Sequence, residues 1–177
     1  MTTAMLIIDV QRALCTGEYE CFEISRVIDT INGLSTRARK AGIPVVLIQH
    51  EEDGSPLAYN ADGWQLAEGL ETSPKDWHVR KTTPDSFYQT NLQKLLPVQD
   101  FERLVICGLQ TDYCVNATVR QALQLGYDVV LAADAHSTVD NGNIPAEDII
   151  AEHNKDLAHL TGSVARIDVI PAADITF

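Results

Sequence analysis

The sequence of 177 residues lacks the features of several large protein classes. No apolar run approaches the ~20 residues that a membrane-spanning helix needs. Positive charge is scarce, with 13 Lys and Arg against 25 Asp and Glu, and the net charge of −12 repels phosphate backbones and anionic lipid. We therefore expect no nucleic-acid partner and no membrane partner, and a small molecule as the substrate.

Export and cofactor signals are also missing. Residues 1–9 have no positively charged region and no small-residue cleavage site, so we expect a cytoplasmic protein with reduced thiols. The four cysteines form no C-x-x-C pair, which disfavours zinc-ribbon and thioredoxin-type sites. The first predicted strand is followed by Val-Gln-Arg-Ala rather than a glycine-rich turn, which disfavours a nucleotide-binding module of flavodoxin or Rossmann type.

The apolar pattern alternates between short buried runs and amphipathic stretches. It predicts strands at Ala4–Asp9, Val45–Ile48, Trp77–Arg80, Arg103–Gly108, Asp128–Ala133 and Val164–Ile170. It predicts a helix whose apolar face runs from Ile24 to Ala41, and further helices at Phe87–Leu96, from the N-cap Thr111 to Gly126, and from Pro145 to near Gly162. Strands that alternate with helices indicate a parallel sheet covered on both faces. We expect one domain over residues 1–177, an α/β protein with a three-layer α/β/α sandwich of about six strands.

Three chemically active side chains are predicted at one edge of that sheet. Parallel sheets bind ligands beyond the carboxyl ends of their strands, where strand order reverses. Asp9 ends the first strand, Lys81 follows the third, and Cys114 lies in the turn after the Arg103–Gly108 strand. A helix N-terminus there, with Thr111 as its N-cap, would favour the thiolate of Cys114. In isolation each residue also has an ordinary explanation: an inert thiol, a strand-end carboxylate or a solvated lysine.

The motifs around these residues resemble the isochorismatase-like cysteine hydrolase superfamily, which includes nicotinamidases and N-carbamoylsarcosine amidohydrolase. The matching segments are Ile-Ile-Asp9-Val-Gln11, Lys81 ahead of Ser86-Phe87, Gly-Leu-Gln-Thr-Asp-Tyr-Cys114-Val, and the region Ala133-Asp-Ala-His136-Ser. They cover nearly the whole chain. The most specific is Thr-Asp-x-Cys-Val at a strand-to-helix turn.

The resemblance implies a Rossmann-like hydrolase fold and a triad of Asp9, Lys81 and Cys114. Cys114 would attack a carbonyl and form a thioester, Asp9 would move the proton, and Lys81 would steady the charges. A cis peptide is implied between Leu109 and Gln110, with the backbone N–H groups of Gln110 and Cys114 as the oxyanion hole. The implied activity is hydrolysis of a C–N bond in a small amide or carbamoyl compound, without an organic cofactor.

Nicotinamidases carry an Asp-x-His metal pair after the second strand, where this sequence has His50-Glu-Glu52. We therefore expect no metal, although a nicotinamidase remains an alternative within the family. Isochorismatase itself lacks the cysteine, so Cys114 favours C–N hydrolysis. The alternative from another class is a redox or peroxide-sensing protein that uses Cys114 with a resolving cysteine.

Five further residues are candidates for substrate binding, and each has a structural alternative. His50 ends a strand at the same edge, and Trp64 lies in a long loop between His50 and about Lys75, which could also form a dimer surface. Phe87 and Tyr113 are candidate pocket aromatics or core residues. His136 is a candidate for hydrogen bonding near the site or an ordinary loop histidine. We also expect a homo-oligomer, at least a dimer.

Overall fold

A parallel sheet of six strands forms the centre of the protein, in the order β3-β2-β1-β4-β5-β6. The computed structural model describes residues 2–98, 100–160 and 165–177. The strands are β1 (Thr3–Ile8), β2 (Val45–His50), β3 (Trp77–Lys81), β4 (Arg103–Leu109), β5 (Asp128–Ser137) and β6 (Ile167–Ile170). The strand order reverses between the adjacent strands β1 and β4, as the sequence predicted, and this places a ligand crevice at their carboxyl ends.

Helices cover both faces of the sheet. They are α1 (Arg12–Cys15), α2 (Ile24–Lys40), α3 (Leu92–Leu95), α4 (Asn116–Leu125) and α5 (Ala146–Ala158). Two short 3₁₀ turns are at Gly17–Tyr19 and Ala172–Asp174, and a π-helical turn at Thr111–Val115 leads into α4. Among the described residues, no helix has the length and apolar character needed to cross a membrane.

The two apolar layers follow from the alternation of side chains along each buried strand. In β1, Met5 and Ile7 join the core under α2, whereas Leu6 and Ile8 join the core on the α4 and α5 side. Neither face of the strand meets water, which is why β1 is apolar from Ala4 to Ile8 rather than alternating. The predicted three-layer α/β/α sandwich is confirmed.

A glycine allows β4 to pass close to β1 at the crevice. Gly108 has a φ of +115°, and a Cβ at this position would lie 2.1 Å from the carbonyl oxygen of Ile8. Only glycine fits a backbone approach this close, and β4 shifts its register against β5 at the same place. The tight approach brings the residues after β4 next to Asp9.

Several element bounds differ from the prediction. The helix predicted at Phe87–Leu96 is only Leu92–Leu95, because Gln89 has a left-handed φ of 53° that interrupts a helix. Strand β5 continues to Ser137, so His136 lies in a strand rather than in a loop after it. Strand β6 begins at Ile167. The predicted helix end near Gly162 and strand start at Val164 lie outside the described residues, and α5 ends at Ala158.

Candidate active site

The crevice brings Asp9, Lys81 and Cys114 together, although they are far apart in the sequence. Asp9 is the residue after β1, Lys81 is the last residue of β3, and Cys114 lies in the π-helical turn after β4. Each position is the carboxyl end of a parallel strand or the turn that follows one, so a single sheet edge holds all three. The peptide bond between Leu109 and Gln110 is cis.

The ammonium group of Lys81 is the centre of this cluster. Its Nζ lies 2.8 Å from Asp9 Oδ2, 3.1 Å from Cys114 Sγ, 3.1 Å from the carbonyl oxygen of Thr83 and 3.2 Å from His50 Nδ1. Burial lowers the pKa of Lys81, but the negative charge of Asp9 and the contact with Cys114 outweigh it and raise that pKa above its ordinary value. Lys81 is therefore a buried, permanent cation.

The carboxylate of Asp9 is fully buried, and the ammonium group of Lys81 contacts one of its two oxygens. Oδ2 contacts the ammonium group, while Oδ1 has no hydrogen-bond partner among the described residues. Asp9 also has a left-handed φ of 52°, which is uncommon for a residue other than glycine and bends the chain out of β1. A buried carboxylate oxygen without a donor is suited to accept a proton from a thiol or from bound substrate.

The thiol of Cys114 is half-buried, and its environment corrects one expectation. Burial is the largest influence and, together with the negative charge of Asp9, raises the pKa of Cys114 to about 12, although Lys81 acts in the opposite direction. The direction of this shift opposes the predicted thiolate at a helix N-terminus and favours the thiol in the resting state. Thr111 is likewise not an N-cap, because its hydroxyl bonds His136 Nδ1 at 2.8 Å.

His50 contacts this cluster with an uncharged imidazole ring. Burial and the nearby Lys81 lower the pKa of His50, and its Nδ1 faces an ammonium group that can only donate hydrogen bonds. The backbone of His50 is held from both sides by the buried side chain of Gln11: the His50 N–H donates to Gln11 Oε1, and Gln11 Nε2 donates to the His50 carbonyl, both at 2.9 Å. The position of His50 therefore follows from Gln11, which the sequence analysis quoted only as part of a motif.

Three possible metal ligands, Asp9, His50 and Cys114, have donor atoms within 4.8 Å of one another in the described part of the chain. The Lys81 ammonium contacts all three, so a cation already occupies the position that a metal would take. The arrangement favours an ammonium-centred site, and the absence of a metal stays a prediction.

A cavity of about 350 Å³ opens beside the sulfur of Cys114. Of the predicted residues, Asp9, His50, Gln110, Tyr113 and Cys114 line it. Four further lining residues were not predicted from the sequence: Leu14, Glu52, Leu57 and Pro84. Pro84 could have been found from its place three residues after Lys81. Leu14 and Leu57 carry no sequence signal that distinguishes them from other apolar residues.

The cavity does not include Trp64 or Phe87. The ring of Phe87 is buried in the core and stacks on Tyr127, with ring centres 5.7 Å apart. The ring of Trp64 packs edge-on against Tyr59, and its carbonyl accepts hydrogen bonds from Gln11 and Gln49 at 2.9 and 3.0 Å. Neither ring therefore lines the cavity.

His136 is also outside the cavity, and it joins the turn that carries Cys114 to α5. Its Nδ1 accepts from the Thr111 hydroxyl, and its Nε2 lies 2.9 Å from Asn154 Oδ1, which can only accept. Burial lowers the pKa of His136 to about 4, so the ring stays neutral. The ring therefore acts as a buried link that fixes the start of the turn.

Comparisons with known proteins identify the family of this chain. The family model of the isochorismatase domain matches residues 3–164. A streptothricin hydrolase of Streptomyces noursei is 43% identical over 152 residues, which are 84% of this chain and 53% of that protein. This chain spans about half the length of the two streptothricin hydrolases that it matches.

Two further similar proteins match this chain over a larger share of their own length. The ureidoacrylate amidohydrolase RutB of Pseudomonas syringae pv. syringae is 29% identical, over 75% of this chain and 69% of that protein. A crystal structure of an isochorismatase family protein has a TM-score of 0.85 and 35% identity, over 94% of this chain and 98% of that one. The resemblance inferred from the motifs is confirmed, and the chain belongs to the isochorismatase family.

Proposed function

We propose that the protein is a cysteine amidohydrolase that cleaves the C–N bond of a small amide or carbamoyl compound through a thioester on Cys114. The observation that carries the proposal is the contact of one buried ammonium group with both Asp9 and Cys114 beside an open cavity. Relatives named as a streptothricin hydrolase and a ureidoacrylate amidohydrolase support hydrolytic chemistry for this chain.

In the first half of the reaction, Cys114 Sγ attacks the substrate carbonyl while Asp9 accepts the thiol proton. Because the resting pKa of the thiol is raised, the proton leaves during the attack and not before it. The S–C bond forms, the C–N bond breaks, and Asp9 passes the proton to the leaving nitrogen. The backbone N–H groups of Gln110 and Cys114, both at the cavity, are the donors that we propose for the oxyanion.

In the second half, water attacks the thioester and Asp9 accepts a proton from that water. The C–O bond forms, the C–S bond breaks, and the proton returns to the sulfur, which releases a carboxylic acid and restores the thiol. Throughout, Lys81 remains protonated and offsets the charge on Asp9 or on the departing sulfur. Asp9 and the sulfur of Cys114 thus carry one negative charge between them or none, next to the fixed positive charge of Lys81.

The alternative of a peroxide sensor is less well supported. Such a cysteine reacts as a thiolate with a lowered pKa, whereas burial and Asp9 raise the pKa of Cys114. Cys15 and Cys21 are buried in the core with pKa values raised to about 12, which makes either a poor resolving thiol. Hydrolysis needs a reduced Cys114, so the predicted cytoplasmic location accompanies this proposal as a prediction. The homo-oligomer is a separate prediction.

The test is an ammonia-release screen over small primary amides, nicotinamide and carbamoyl compounds, with Cys114→Ala as the blank. We expect release by the wild type and a loss of at least about 10³-fold in the variant, because no other group can take over covalent attack. Hydroxylamine should divert the thioester to a hydroxamate in the wild type only. Equal ammonia release from both proteins on every compound would remove Cys114 from the mechanism.

A further inference from the structure

We infer that the cavity selects substrates whose end remote from the scissile bond carries an ammonium group, and that Glu52 makes this selection. The inference deepens the proposed function and rests on it. It names a substrate class and a residue that the motifs around Cys114 do not indicate.

The cavity wall carries few charges that are free to meet a substrate. No Lys or Arg is among its described lining residues, and the side chain of Lys81 has no exposed surface. Asp9 is already paired with Lys81, and His50 is held neutral beside the same cation. The carboxylate of Glu52 is therefore the one unpaired charge among the described residues that a bound substrate meets.

Neighbouring cations are not available to neutralise Glu52. Arg12 forms an ion pair with Asp62 at 2.6 Å, and Arg80 binds Glu51 with two contacts of 2.8 and 3.0 Å. No ion pair or hydrogen bond joins the Glu52 carboxylate to another described residue. A substrate ammonium would supply the missing partner, whereas a substrate carboxylate would add repulsion.

The backbone of Glu52 is held in place at the cavity. Its N–H donates to the carbonyl of Leu57 at 3.2 Å, and its carbonyl accepts from the Ser55 N–H at 3.3 Å and from the Ser55 hydroxyl at 2.9 Å. This local turn sets where the side chain starts. The backbone that carries the acidic group is thus fixed at the wall of the cavity.

The space beyond Glu52 is also lined by acidic residues. An adjoining cavity of about 220 Å³ shares Leu14, Glu52 and Leu57 with the first, so Glu52 lies where the two meet. Tyr19 links this second cavity to a third of about 550 Å³, which Glu18 and Glu20 line. A substrate that reaches from Cys114 into the adjoining cavity passes Leu14, Leu57 and Glu52, of which only Glu52 is charged.

Three amides of equal chain length test the inference: 6-aminohexanamide, hexanamide and the monoamide of adipic acid. For the wild type we expect kcat/KM to be highest for the ammonium compound and lowest for the carboxylate compound. Because Glu52 is exposed, each step should be about three- to tenfold, and it should shrink when NaCl rises from 50 to 500 mM. Glu52→Gln should remove most of the preference and Glu52→Lys should reverse it.

The matched control is Asp53→Asn, which removes the same charge from the next residue, outside the cavity lining. It should leave the ratios between the three amides unchanged. Wild-type ratios near one, or equal ratios in Glu52→Gln and the wild type, would overturn the inference while leaving hydrolysis intact.

A binding measurement separates this inference from the proposed function. In Cys114→Ala protein, titration calorimetry should show tighter binding of 6-aminohexanamide than of hexanamide, and the difference should vanish when Glu52→Gln is added. If this holds while wild type and Cys114→Ala release equal ammonia from every compound of the wider screen, the hydrolase proposal fails and the selection by Glu52 stands. Equal binding of the two compounds would contradict the selection.

Discussion

The two sides of the cavity are built in different ways. The triad corner, formed by Asp9, Lys81 and Cys114, lies on strand ends and the turn after β4, with Asp9 and Lys81 almost completely buried. The opposite side, the loop wall of residues 51–76, carries Glu52 and Leu57 on irregular and largely accessible chain. If the two proposals hold, the chemistry that needs fixed distances lies on the rigid sheet, and the selection of substrates lies on a loop that tolerates change.

The charge pairs show the same contrast. Asp9 and Lys81 form a buried pair in which each needs the other, whereas Arg80 and Glu51, which join β3 to the loop wall, form an exposed pair. Loss of one partner is costly in the interior and nearly neutral at the surface. Substitutions in the two regions should therefore differ in kind as well as in size.

The largest effect is expected for Lys81→Met. It should lower kcat by about 10³-fold and destabilise the fold by roughly 3–5 kcal/mol, because it leaves Asp9 as an uncompensated buried carboxylate. Thermal unfolding and steady-state kinetics give the two values. The control is Lys75→Met, which removes an exposed lysine of the loop wall and should change neither.

A double variant tells charge compensation from general damage to the fold. Adding Asp9→Asn to Lys81→Met removes the stranded charge, so the melting temperature should recover much of its loss while activity stays absent. A double variant as unstable as Lys81→Met would argue against the ion pair as the reason for the destabilisation.

An intermediate effect is expected from His136, which anchors the turn of the triad corner. Because burial lowers its folded-state pKa to about 4, the unfolded chain binds a proton more readily below pH 6.5. Stability should therefore fall as pH drops from about 6.5 to 4, with this residue adding up to about 1.4 kcal/mol per pH unit. His136→Gln should flatten that part of the curve, whereas His159→Gln, an exposed histidine after α5, should not.

The smallest effect is expected at the loop wall. Arg80→Gln removes the pair with Glu51 and the stacking of the guanidinium over Tyr59, 3.8 Å from the ring centre. We expect kcat to stay within about twofold and KM to rise by about threefold, because the loop is held less firmly. A fall in kcat comparable to that of Lys81→Met would show that the loop wall takes part in the chemistry, and the distinction between the two regions would be lost.

The triad corner was predictable from the sequence because strand ends are readable. Buried parallel strands leave apolar runs, and the residues that follow those runs meet at one sheet edge, so Asp9 and Cys114 could be placed before any contact was known. The state of the thiol was not predictable in this way. Its pKa depends on burial and on the distance to Asp9, and neither is visible in a linear pattern.

The loop wall was beyond prediction for a different reason. Its path is set by single contacts, such as Gln11 reaching the carbonyl of Trp64, that leave no period in the sequence. Trp64 and Phe87 were plausible pocket aromatics because large rings are common in pockets. Such rings are equally common in packed cores, and here both pack against another aromatic ring. Glu52 had no motif to mark it, since one acidic residue among 25 is distinguished only by what it faces.

The surroundings of Lys81 Nζ have a consequence for turnover. An ammonium group has three hydrogens, and four acceptors lie within reach: Asp9, Cys114, Thr83 and His50. One acceptor is always left over, so a rotation about the Cε–Nζ bond can turn a hydrogen from the sulfur toward the imidazole or the carbonyl oxygen. In the proposed mechanism, this rotation would let Lys81 keep three hydrogen bonds when the sulfur is acylated, without a movement of the backbone.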